Sequence, residues 1–154
     1  MTIEKILEIG YTTLFPVLGW FIAYLIVRAV ERAYGLSGDL LRKSINNYEA
    51  VEKDLKRFTA KEKEKALSWH KRFIQFGRIT KDCRKAERRI RLYLFDNAGN
   101  KILADSSGIL SDIDADISLI QKKILAKQEE GMVEHLETLA ENVVLMKKAV
   151  IASM

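Results

Sequence analysis

Along most of the chain apolar residues recur every three or four positions among charged ones, but the first stretch departs from this. From Ile9 to Val27 there are 19 consecutive residues without a formal charge, held between Glu8 and Arg28. A helix that crosses a bilayer needs about 20 mostly apolar residues. The pattern therefore predicts one N-terminal transmembrane helix over about 9–30, within a membrane anchor spanning 1–34. Pro16 and Gly19 lie one turn apart inside it, a kink or a packing notch for another helix. Gly35 and Gly38 flank Ser37, and Asp39 follows, so a break is expected at Tyr34–Asp39 with Ser37 or Asp39 capping the next helix.

Beyond the break the helical period is plain. Leu41, Ile45, Tyr48, Val51, Leu55 and Phe58 follow spacings of 3 and 4, and Glu49/Lys53 and Glu52/Lys56 are i,i+4 pairs in the favourable order. This stripe suits either a short coiled coil or packing within one domain, and Leu41, Ile45, Tyr48, Leu55 and Phe58 are its candidates for helix association. It weakens across Thr59–Lys65 and resumes at Ala66, Trp69, Phe73 and Phe76. A long helix, straight or bent near Gly77, is expected to reach about Arg88; straight, it would run roughly 75 Å.

Ile90–Phe95 is rich in strand formers, Asp96–Asn100 has turn chemistry and Lys101–Asp105 can return, which predicts a β-hairpin over about 90–105. Two strands alone are marginal in water, so the hairpin must pack on helices or on another subunit. Ser111 then caps a helix with Ile113, Ile117, Ile120 and Ile124 on one face. After Gly131 a last helix carries Leu136, Leu139, Val143, Met146 and Val150. The expected fold class is mainly α: the transmembrane helix, a long helix, one hairpin and two C-terminal helices. Residues 38–154 would form the extramembrane domain.

One Pro and eight Gly in 154 residues agree with long helices. The net charge of +5 conceals a division. Lys53–Arg91 holds 15 basic against 5 acidic residues, a net of +10, and Asp105–Glu141 holds 9 acidic against 3 basic, a net of −6. The two segments can pair with each other, or the basic one can meet an anionic partner through Arg84, Arg88, Arg89 and Arg91. Anionic headgroups suit it better than nucleic acid, because Trp69, Phe73 and Phe76 fall at core-like helical spacing. Arg28, Arg32, Arg42 and Lys43 follow the apolar stretch whereas Lys5 alone precedes it. The positive-inside rule then makes a single-pass membrane protein with its C-terminal domain in the cytoplasm.

Signals for chemistry are sparse. Asp112, Asp114 and Asp116 resemble the start of a calcium loop, but Ile117 stands where Gly is required and Lys123 where the bidentate Glu belongs. His70 and His135 have no ligand at metal spacing. Cys83, the one cysteine, has Lys81, Arg84 and Lys85 beside it, which would lower a thiol pKa without making a catalytic pair. Neither a cofactor nor a catalytic residue is assigned, and no enzyme is expected.

Membrane segment, long helix and the run Tyr93–Asp105 in that order resemble the beginning of bacterial extracytoplasmic ligand-sensing domains of the Cache type. The similarity covers about a tenth of the chain, and it implies a sensor or signalling module with the domain outside. A phage- or secretion-type envelope spacer is the other alternative. The leading expectation is a structural or interaction subunit, anchored in membrane lipid, that assembles as a homo-oligomer or joins a larger membrane complex.

Overall fold

A computed structural model describes the backbone of residues 3–154 and the side chains of 3–5, 16–26 and 38–154. Five helices follow in order: α1 (Ile3–Lys63), α2 (Trp69–Asp96), α3 (Lys101–Asp105), α4 (Ser107–Leu125) and α5 (Met132–Ala152). The chain divides into two compact units, Met1–Ser37 and Gly38–Met154.

The second unit is a four-helix bundle of α2, α4, α5 and the part of α1 beyond Gly38. Its buried positions explain why. In α1 they are Leu41, Ser44, Tyr48, Val51, Leu55, Phe58 and Glu62; in α5 they are Met132, Leu136, Leu139, Val143, Met146 and Val150. Both series alternate steps of 3 and 4, as do Leu110–Ile124 in α4 and, apart from an additional buried Thr80, Arg72–Ile90 in α2. An average of 3.5 keeps one narrow apolar seam facing the bundle axis, the repeat of left-handed bundles with knobs-into-holes packing. Pairings show that neighbours run antiparallel. Phe58 meets Phe76 at 6.1 Å between ring centroids, Asn142 donates to Asp116 at 2.8 Å, and Lys147 reaches Glu52 at 3.2 Å. The α1–α2 and α4–α5 turns therefore share one end, the turn end. Gly38, the α2–α4 connection and the end of α5 share the other, the α3 end.

The expected long helix stops well before Gly77. Lys65 takes a left-handed φ of 51°, with Lys65 N–H bonded to Glu62 O at 3.0 Å and Ala66 N–H to Lys61 O at 3.1 Å. These are the two bonds of a Schellman cap. Lys127 closes α4 the same way at φ 53°, with bonds to Ile124 O and Lys123 O. Ser68 then caps α2 by accepting from Lys71 N–H at 3.3 Å, and α2 runs unbroken through Gly77. The uninterrupted stalk is thereby corrected to a helical hairpin. Nor does the chain break at Tyr34–Asp39: α1 passes through it.

The β-hairpin is also corrected, since no described residue is in a strand. Ile90 ends a buried 3-and-4 series that begins far upstream, and the Arg91–Glu87 pair at 2.8 Å, one turn apart, favours helix through Ile90–Phe95. Burial of that seam outweighs the β preference of Ile, Tyr and Phe. Asn97 and Asn100 serve as caps: Asn97 closes α2 onto Tyr93 O, and Asn100 accepts from Leu103 N–H to open α3.

The transmembrane expectation is corrected too, because among the described residues no helix is long and apolar enough to cross a membrane. Pro16–Ile26, the part whose side chains are described, covers about 16 Å of helix axis. That is roughly half of a hydrocarbon core. The side chains of 9–15 and 27–30 lie outside the described residues, as do Arg28 and Arg32 of the orientation argument. Pro16 is accommodated within α1, and nothing lies within 4 Å of where a Cβ on Gly19 would be.

Candidate functional site

The face between α2 and α4 carries the densest polar chemistry. Helical spacing places Arg84, Arg88, Arg91 and Phe95 along one side of α2, and Asp114 and Ser118 answer from α4. Together with Glu87, Leu92 and Ile117 they line an open groove of about 760 Å³. Arg91 is held by Glu87, whereas no ion pair is formed by Arg84 or Arg88 among the described residues. Phe95, 85% exposed, stands at the mouth. Three of the four arginines expected to meet an anionic partner are thus brought together. Arg89 is half-buried and does not line this groove.

Beneath the arginines the groove turns acidic. Burial first, then a hydrogen bond and charge from Glu87, push the Asp114 carboxyl up to about 6 against the opposing pull of Arg91 and Arg84. Burial is also the main reason the Cys83 thiol is raised to about 12, with Asp82, Asp114 and Glu87 adding to it. Cys83 is 2% exposed, so Lys81, Arg84 and Lys85 beside it in sequence do not make it a reactive thiol. Tyr48 is raised as well, chiefly by burial and then by Cys83, Glu87 and Asp114, and its hydroxyl is buried with no hydrogen-bond partner among the described residues.

Other expected residues go elsewhere. Leu41, Tyr48, Leu55 and Phe58 are buried in the core of their own chain, and Ile45 packs partly against it. Ser44, whose hydroxyl bonds to Leu41 O at 2.7 Å, takes the seam position next to Ile45. Asp112 is exposed, Asp114 faces Glu87 and Asp116 accepts from Asn142, so the three carboxylates do not converge on one point. Among the described residues no cluster of three or more His, Cys, Asp or Glu could hold a metal ion. Phe76 is in the core and Phe73 is 59% exposed.

One polar constellation has no obvious signature in sequence. Arg72, 2% exposed, occupies a seam position of α2, where its guanidinium grips both oxygens of buried Glu62, reaches Glu129 at 3.1 Å and stacks on Trp69 at 4.2 Å. Burial pulls its pKa down, but the bonds and charge of Glu62, followed by those of Glu129, hold it above the usual arginine value. This knot ties the α1–α2 turn to the α4–α5 turn. The only hint is an Arg on the Phe76–Ile79 face, one turn before Phe76.

No protein-family model matches the chain, and neither a curated protein nor a solved structure shows significant similarity to it.

Proposed function

We propose that this protein is a membrane-attached structural and interaction subunit, a small helical bundle held at a lipid surface by the apolar segment of α1. The observation that carries the reading is the exposure of Pro16–Ile26. Trp20 is 82% exposed, and each large apolar side chain from Val17 to Ile26 is at least half exposed. Successive positions turn by about 100°, so these side chains surround the helix rather than forming one stripe. A soluble protein rarely leaves so much contiguous apolar surface in water, and such surface marks contact with lipid or protein. Attachment does not require the segment to cross the bilayer.

The bundle supports binding better than catalysis, because the α2–α4 groove offers cations and an exposed ring around the carboxyls of Asp114 and Glu87 but no nucleophile–base arrangement among the described residues. The sensor reading loses its footing, since Tyr93–Asp105, which resembled the strands of ligand-sensing domains, is helix, turn and helix. Self-assembly through the Leu41–Phe58 stripe loses its surface in the same way, because that stripe packs inside the chain.

Membrane fractionation tests the attachment. The full chain should stay with membranes through a high-salt wash, and Phe21→Asp with Leu25→Asp should release it to the supernatant. A wild-type chain found in the supernatant would overturn the proposal.

A further inference from the structure

The α3 end of the bundle carries an apolar surface that the fold does not need. Phe95, Ile102, Ile151 and Met154 are all about half exposed or more, and they come from the end of α2, from α3 and from the end of α5. These ends are drawn together by Asn100, whose amide donates to Tyr93 OH at 3.2 Å and to Ser153 O at 3.4 Å. The groove of Arg84, Arg88 and Arg91 opens beside Phe95. At the same end Asp39 takes Lys43 at 3.2 Å, whereas Arg42, Arg88, Lys101 and Lys148 are exposed, as are the carboxylates of Asp96, Asp105 and Asp112. Cations therefore rim apolar side chains there, as on surfaces that sink a few rings and aliphatic chains into the headgroup layer.

We propose that the α3 end docks on an anionic lipid surface, with Phe95 and its apolar neighbours entering the headgroup region and Arg88, two turns back along α2, facing lipid phosphates. The inference rests on the membrane attachment proposed above and names the chemistry and the part of the bundle involved. Two observations choose lipid as the occupant. The exposed cations of the rim outnumber its exposed carboxylates, and the chain enters this end at Gly38, only 11 residues after the apolar segment closes at Val27. Even fully extended, that tether reaches no more than about 40 Å. A charge near an anionic leaflet is worth about 1 kcal/mol, so each arginine removed should lower the docked fraction ratio roughly fivefold.

The full chain, with an environment-sensitive fluorophore on Ala98→Cys in the α2–α3 turn, provides the test, and Gln128→Cys at the turn end provides the comparison. Buried Cys83 does not compete for label. With vesicles of phosphatidylcholine and phosphatidylglycerol, emission from position 98 should shift to the blue and be quenched by headgroup-labelled lipid, while position 128 is unmoved. The shift should shrink with Phe95→Ser, with Arg88→Gln and in 0.5 M salt, conditions that leave the core intact. An equal shift with phosphatidylcholine alone, no shift at 98, or a shift at 128 instead would overturn the docking while vesicle flotation still reported attachment. Failure to float would remove the attachment and the docking together. A blue shift present before vesicles are added would place a second copy over this end and also overturn the proposal.

Discussion

Arg72 shows what one residue can decide. A guanidinium at a seam position survives only because Glu62 and Glu129 satisfy it. Breaking a buried pair by removing one partner is costly, whereas exchanging both for apolar groups is often neutral. Glu62→Ala should therefore lower stability by about 3–5 kcal/mol in urea unfolding. The double variant Glu62→Leu with Arg72→Met should lie within about 1 kcal/mol of the parent, or above it. Asp114 is a second case. Its folded pKa, about 6, lies above the ordinary 3.8. Its contribution to stability is thus fully present below pH 3.8 and is lost as pH rises through 6. Asp114→Asn, which keeps a donor for Glu87, should gain about 1 kcal/mol at pH 7.5, discounted for partial exposure, and nothing at pH 3.5. Urea titrations at the two pH values check this; an equal gain at both would rule out the protonation account.

At the scale of elements, helix ends mattered more than helix bodies. Ile113, Ile117, Ile120 and Ile124 in α4, and Leu136 to Val150 in α5, could be read from period alone and are buried, joined by Leu110 and Met132. The stop of α1 could not, because the left-handed position of its cap is filled by Lys65 and not by the expected Gly. The same is true of Lys127. A side chain in this conformation costs about 1–2 kcal/mol that glycine avoids, although glycine returns part of that as unfolded-chain entropy. Lys65→Gly and Lys127→Gly should each raise stability by about 0.5–1 kcal/mol and add when combined. Gly131 should behave in the opposite sense. It has φ +73°, and an added Cβ would come within 3.2 Å of Lys123 Nζ. Gly131→Ala should cost about 1 kcal/mol in thermal unfolding. The hairpin was misread for a related reason: Asn97 and Asn100, caps here, are also good turn residues.

For the whole molecule, every buried apolar core residue among the described ones falls between Leu41 and Val150. Residues Gly38–Met154 should therefore unfold as one cooperative unit without the N-terminal segment. The expected result is a urea midpoint for the fragment equal to that of the full chain; a fragment without a cooperative transition would show that the first unit completes the core. A charge placed on the α1 seam tests the same unit. Leu55 is fully buried, so Leu55→Asp should unfold the bundle and not merely disperse an oligomer, and circular dichroism would register the loss of helix.

What the sequence determined by itself is whatever depends on short-range order: a mainly helical chain, the faces of α4 and α5, an apolar N-terminal segment, and a basic middle stretch from Lys53 to Arg91. Periodicity reports these because a side chain's neighbours along a helix are its neighbours in sequence. Tertiary structure decided the rest. Whether the stripe from Leu41 to Phe58 faces another molecule or its own chain depends on α2 folding back onto it, and both arrangements need the same 3-and-4 spacing. Whether Ile90–Phe95 is strand or helix depends on a seam shared with α1 and α4, whose burial outweighs local preference. The pairing of Arg72 with Glu62 and Glu129, and of Asp114 with Glu87, joins different helices and turns across 10 to 57 positions, and no helical period encodes such distances.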